Sequence, residues 1–219
     1  MTDRFHPGLD YGNVAYDRRH RFLATYLYDL PFGRGKKWLS TGSAMNTIVG
    51  DWQVGGVAIA QSGPFLTPTE SSYDPANTNI LSTVLAARPD RIAGQSPYAQ
   101  HRNTSMWLNP NAFSYTSLSQ VDSTGAPTGV GIGRFGTAPV GGFEGPGTVN
   151  FSLSMMKNIA ITEKAKFQIA IESSNLFNHR NYEPPNVAVD QAGFGQITAL
   201  QTAEGSGPRS LELAGKITF

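Results

Sequence analysis

Cysteine is absent from all 219 residues, which excludes disulfide frameworks, thiolate zinc sites and cysteine nucleophiles. Charge is scarce: Asp, Glu, Lys and Arg make up 15% of the chain, against about 25% in ordinary soluble domains. The 17 Lys and Arg nearly cancel the 16 Asp and Glu. That balance excludes a nucleic-acid binder working through bulk positive charge, and an acidic solvating tail. No apolar stretch approaches the roughly 18 residues that a membrane-crossing helix needs. The opening "MTDRFHP" has no basic segment followed by an apolar one, so no secretory leader is read there. Taken alone, these last two absences describe a soluble cytoplasmic protein. The pattern of what is present argues against that.

Aromatic residues are plentiful at 11%, too many for a disordered chain, and the apolar residues alternate. Leu211, Leu213, Gly215, Ile217 and Phe219 fall on one side of an extended chain; Ser210, Glu212, Ala214, Lys216 and Thr218 fall on the other. Val149, Phe151, Leu153 and Met155 alternate with Asn150, Ser152 and Ser154. Phe167, Ile169 and Ile171 alternate with Lys166, Gln168, Ala170 and Glu172. The tight connection from Ile161 to Lys164 makes these two an antiparallel hairpin. Nearer the N-terminus, Phe22, Ala24, Tyr26 and Tyr28 share a face, although Leu23 and Leu27 blur it. Trp52 and Val54 share a face with Val57 and Ile59 only if Gly55 and Gly56 form a bulge. Between these strands "PFGRGKKWL" is turn-like, and Ser43 to Ile48 fits a short helical turn.

Five strands are expected, at about 20–30, 50–61, 148–159, 165–176 and 209–219, and long connections at about 62–147 and 177–208. Long connections alternate with short ones. A soluble sandwich has no reason for that arrangement, whereas a transmembrane barrel pairs short periplasmic turns with long extracellular loops. Strands of about 9–11 residues also suit a tilted crossing of the hydrocarbon layer. The stretch from Ser62 to Gly147 is rich in Gly, Pro, Ser, Thr and Asn, and reads as an extracellular excursion. Phe113, Tyr115 and Val121 are its candidate strand residues.

The segments "YDRRHRFLATYLYDLPFGRGKKW", "GDWQVGGVAIAQSGPF", "NLFNHRNY", "DQAGFGQIT" and "LELAGKITF" together resemble the C-terminal part of Oar-like TonB-dependent outer-membrane receptors. These occur in acidobacteria, often behind a carboxypeptidase-regulatory-like domain. The resemblance runs from about Tyr11 to Phe219. It implies a barrel of about 22 strands with a plug in its lumen, and transport driven by an inner-membrane motor pulling on a box near the receptor's N-terminus. Neither plug nor box is seen in this sequence. Five strands are also too few to close a barrel. The expectation is therefore a fragment of a larger receptor, not transport-competent alone. The same resemblance makes the terminal strand, with Leu211, Leu213, Ile217 and Phe219, a signal for the barrel-assembly machinery; the plain alternative is an edge strand that happens to end the chain.

Other motifs weigh less. Gly131 to Gly136 matches G-x-G-x-x-G, but Thr137 to Gly142 excludes the helix a dinucleotide site requires. Arg18, Arg19 and Arg21, with His20, would lie at the outer end of the first strand. There they either contact lipopolysaccharide phosphates or form a solvated rim. Lys36 and Lys37 read as a plain turn. Asp74, Asn77 and Asn79 carry oxygens near calcium-loop spacing without the glycine and distal glutamate of an EF-hand. His6, His20, His101 and His179 have no helical pairing for zinc. Ser62 and Ser154 lack a nucleophile-elbow context, and no acid–base pair emerges. Trp38, Trp52, Tyr26 and Tyr28 suit an interfacial aromatic girdle.

The fold expected is thus all-β: an antiparallel transmembrane barrel segment with long extracellular loops, in the outer membrane. Its role would be structural, with no enzymatic activity, metal or cofactor, and any substrate bound by the long loops. Partners would be lipid and lipopolysaccharide, the assembly machinery, and the rest of the barrel and plug, with no nucleic acid. The competing reading is a soluble or secreted all-β glycan-binding module. It would cover Val149, Phe151, Phe167, Ile169, Leu211 and Ile217 with a second sheet.

Overall fold

A computed structural model describes residues 5–33, 35–38, 48–70, 74–77, 87–162 and 165–219. The chain divides into two compact units. One comprises His20–Gln61, Thr148–Asn181 and Leu200–Phe219; the other comprises Met1–Arg19, Ser62–Gly147 and Tyr182–Ala199.

The first unit is a five-stranded antiparallel sheet. Its strands are β1 (Arg21–Asp29), β2 (Trp52–Gln61), β9 (Thr148–Ala160), β10 (Lys166–Ser174) and β11 (Ser210–Thr218), the numbering counting six short strands of the other unit between β2 and β9. They are hydrogen-bonded in the order β1-β2-β9-β10-β11. Each strand therefore pairs with the next of these five along the chain, all antiparallel. In this meander the β1–β2 and β9–β10 connections leave from one end of the sheet, and the β2–β9 and β10–β11 connections leave from the other. The sheet is open, with β1 and β11 as its edges. All five strands lie where alternation places them, because period-2 patterning survives only if one face differs from the other.

One detail differs. Gly55 and Gly56 form no bulge, since register runs unbroken from Arg21↔Gln61 to Asp29↔Gln53 and from Trp52↔Lys157 to Gln61↔Thr148. Val57 and Ile59 therefore face away from Trp52 and Val54. The glycine at 56 has a different cause: it pairs with Tyr26, and a Cβ there would collide with the Tyr26 ring and the Ser152 carbonyl. An aromatic ring lies where the glycine has no side chain.

The second unit has strand of its own, as expected of the 62–147 stretch, in short pieces. It holds β3 (Phe65–Leu66), β4 (Asp90–Arg91), β5 (Phe113–Ser114), β6 (Ser119–Val121), β7 (Pro127–Gly131) and β8 (Phe143–Glu144), paired β3–β8, β4–β5 and β6–β7. Phe113 and Val121 are in strands as expected, whereas Tyr115 precedes a 3-10 turn. Leu66, Ala112, Phe113, Ala138 and Phe143 form a buried core, against which Tyr98, Val187, Val189 and Phe194 pack. Phe113 meets Phe143 and Phe194 edge-on, with centroids 5.4 and 5.7 Å apart. Val187, Val189 and Phe194 come from the second long connection, so residues 182–199 share a core with 62–147. The expected helical turn at Ser43 to Ile48 lies mostly outside the described residues; Ile48 and Val49 are helical.

Candidate functional site

Register assigns every sheet residue to a face, because directly paired residues point the same way. Phe22, Ala24, Tyr26 and Tyr28 of β1 align with Val54, Ala58 and Ala60 of β2. These align in turn with Val149, Phe151, Leu153 and Met155 of β9. The row continues into Phe167, Ile169 and Ile171 of β10 and then Leu211, Leu213 and Ile217 of β11. The opposite face carries Thr148, Asn150, Ser152, Ser154, Gln168, Glu172, Glu212 and Lys216. One face is apolar across five strands and the other is largely polar.

The apolar face is not covered. Leu211, Leu213 and Ile217 are 67%, 77% and 56% exposed, and Phe22, Tyr28 and Val149 on the same face are also exposed. Each large side chain left in water forfeits about 1.5–3 kcal/mol, and soluble monomers rarely expose so continuous an apolar surface. Hydrocarbon is the solvent that fits it.

At mid-sheet Tyr26 stacks on Phe151 with centroids 5.7 Å apart, and Phe151 meets Phe177 at 5.2 Å. The Tyr26 hydroxyl donates to the Ser152 carbonyl at 3.0 Å. Tyr26 thus belongs to the middle of the band, not to a girdle at its edge. Trp52 sits at the short-connection end, where its indole N–H donates to the Ile48 carbonyl at 3.0 Å. Beside it is a residue that sequence reasoning passed over. Lys157 occupies the apolar face yet is only 4% exposed. Its ammonium donates to the Ile48 and Gly50 carbonyls and lies 5.6 Å from the Trp52 ring centre. The long stem covers apolar surface while the charge reaches the polar end. Trp38 packs on Phe32 at 5.3 Å and under Lys37 at 5.2 Å.

The other end is closed by asparagines. Asn175 and Asn178 adopt left-handed φ of 48° and 51°, a conformation Asn tolerates better than most residues. Asn175 donates to the His179 and Gly207 carbonyls, and accepts from the His179 N–H at 2.9 Å. Asn181 bonds both backbone groups of Val149, at 2.8 and 3.0 Å, and the Ser206 carbonyl. Asn150 accepts from the Asn175 N–H and donates to the Glu204 carbonyl. The "NLFNHRNY" segment is therefore a lock tying the β10–β11 connection to the start of β9. Its signal in sequence is asparagine at 175, 178 and 181.

On the polar face Glu172 and Glu212 are direct cross-strand partners. They line an open recess of 350 Å³ with Ser152, Ser154, Ser174 and Ser210.

The chain from residue 1 to 212 matches the family model described as an outer membrane beta barrel domain. The chain belongs to that family. No curated protein and no solved structure matches it. The sheet is accordingly a barrel segment of an outer-membrane protein, its apolar face turned to lipid and its polar face to the lumen. Leu211, Leu213 and Ile217 lie on the edge strand β11, which is exposed along its whole length, and Phe219, just after it, is 94% exposed.

The arginines of the barrel domain divide between its units. Arg19 pairs with Glu144 at 2.5 Å and lies 5.6 Å from the Phe65 ring centre. Arg18 donates to the Ala15 and Asp17 carbonyls. Arg21, in the sheet, pairs with Glu204 at 2.6 Å and with Gln61 at 2.8 Å. Asp74 accepts from the Ala76 N–H and Asn77 donates to the Gly131 carbonyl, while Asn79 lies outside the described residues. No helix follows Gly136, whose missing Cβ admits the Arg88 and Pro89 carbonyls. Among the described residues, no group of three or more His, Asp or Glu side chains converges to hold a metal.

Proposed function

We propose that this chain is the C-terminal barrel segment of an Oar-like TonB-dependent outer-membrane receptor or transporter. Its task is structural: it builds part of the wall and presents the residues between β2 and β9, and between β10 and β11, to the outside. The observation that carries this reading is the apolar face continuous over five paired strands, with Leu211, Leu213 and Ile217 uncovered. A glycan-binding sandwich would bury those side chains under a second sheet. No catalytic role is assigned. The partners are outer-membrane lipid, the remaining barrel strands and the plug, and lipopolysaccharide at the arginines. The terminal strand ending in Phe219 offers free backbone groups for β-augmentation by the assembly machinery.

Mass spectrometry of the outer-membrane fraction tests the proposal by measuring the polypeptide that carries "LELAGKITF". A heat-modifiable species of full-receptor size is expected. A soluble 23.6 kDa product would overturn the assignment.

A further inference from the structure

One buried acid in the second unit has no role in the barrel. Glu70 is 0% exposed, and among the described residues neither of its carboxylate oxygens has a hydrogen-bond partner. Its backbone is clamped between two segments. The Glu70 N–H donates to the Ala87 carbonyl at 2.8 Å. The adjacent Thr69 bridges Ala188 in parallel, accepting from the Val189 N–H at 2.8 Å and donating to the Val187 carbonyl at 2.9 Å. Asp190 follows in the turn after that bridge.

The charges around Glu70 are of the wrong sign to satisfy it. Burial, then the carboxylates of Asp190 and Asp90, push its carboxyl up to about 8. Among the described residues, the arginine after Ala87 in the chain and the one that pairs with Asp90 have other partners. Arg88 reaches the Leu9 carbonyl and Asp10, and Arg134 grips Asp90 at 2.8 and 2.6 Å. A buried ionised carboxylate without a donor costs several kcal/mol, of the order seen for unpaired buried ions, so the chain either keeps Glu70 protonated or supplies a cation from outside.

We propose that Glu70 and Asp190 hold a divalent cation of the calcium class, fastening the segment around Ala188 to the segment around Thr69. The donors are hard oxygens with no imidazole or thiolate, which favours calcium over zinc. Two carboxylates leave room for main-chain carbonyls and water to complete a coordination shell of six or more. This inference concerns the second unit alone and does not depend on the receptor assignment.

The test is calcium chloride titrated into the full chain, read by thermal melting and by amide exchange at Thr69, Glu70 and Val189. The expected result is a rise in melting temperature and at least tenfold slower exchange at these amides, reversed by chelator. Binding must displace the Glu70 proton, so the effect grows as pH rises from 6 to 8. Glu70→Gln removes the ligand charge at nearly constant shape and abolishes the calcium response while keeping the fold; Asp190→Asn weakens it. Two outcomes overturn the proposal: no response to millimolar calcium at pH 8, or an undiminished response in E70Q. In the first case Glu70 is a protonated acid. Stability without calcium then falls as pH rises from the ordinary value of 4.5 to about 8, because only the unfolded chain ionises across that window.

Discussion

The two units solve the problem of burying apolar surface in opposite ways. In the second unit Leu66, Phe113 and Phe143 turn inward and are nearly inaccessible, on strands of two residues joined by long irregular segments. In the sheet, strands of nine to thirteen residues carry Leu211, Leu213 and Ile217 outward and leave them exposed. A small inward core is what water demands. An outward apolar band on long regular strands is what hydrocarbon demands, because every backbone group inside the membrane must be paired within the protein. The contrast within one chain is a contrast of solvents.

Mutations in the two units should therefore fail for different reasons. The largest effect is expected for Phe113→Ala, which empties the inward core at a cost of about 3–5 kcal/mol. Limited proteolysis should then cut between residues 87 and 147 while β9 to β11 stay protected; equal loss of protection in both units would show that they do not fold separately. Next comes the lipid band. Leu213→Lys should cost about 2–4 kcal/mol in the membrane, whereas Ala214→Lys, one residue along on the lumen face, should cost little. Comparing their heat-modifiable fractions decides it, and equal losses would break the assignment of faces.

Smaller effects sharpen the picture. Gly56→Ala forces a methyl against the Tyr26 ring and the Ser152 carbonyl, an overpacking cost of about 1–3 kcal/mol; the double variant with Tyr26→Ala should not recover fully, since the carbonyl contact remains. Asn181→Leu strands both backbone groups of Val149, and should cost about 1–3 kcal/mol, read as faster amide exchange at Val149 than at Met155. Smallest of all, Glu144→Gln weakens a partly exposed pair with Arg19 and should change stability by less than about 1 kcal/mol, read as a melting shift that high salt removes.

Much of the sheet was legible in advance because its two environments write themselves into alternate positions. Residues 148 to 157 and 210 to 219 needed no knowledge of their partners to be read as two-faced strands. The glycine pair misled because Val57 and Ile59 are apolar residues on the lumen side. The two would share a face with Trp52 and Val54 only through a bulge at the glycines, and register shows none. The second unit was opaque for a different reason. Its strands are too short for periodicity to rise above noise, and its core is assembled from Leu66, Phe113, Phe143 and Phe194, which lie far apart in the chain. Lys157 was hidden too, since a charge in an apolar row is intelligible only once the Ile48 and Gly50 carbonyls are seen beside it.

By itself, then, the sequence determined the five long strands, their two faces and the alternation of short and long connections, because these follow from local period and length. Only the tertiary structure decided that residues 62–147 and 182–199 share a core, that three asparagines lock the head of β9, and that Glu70 is buried among like charges. Those facts depend on which distant segments meet, and no local period records a meeting.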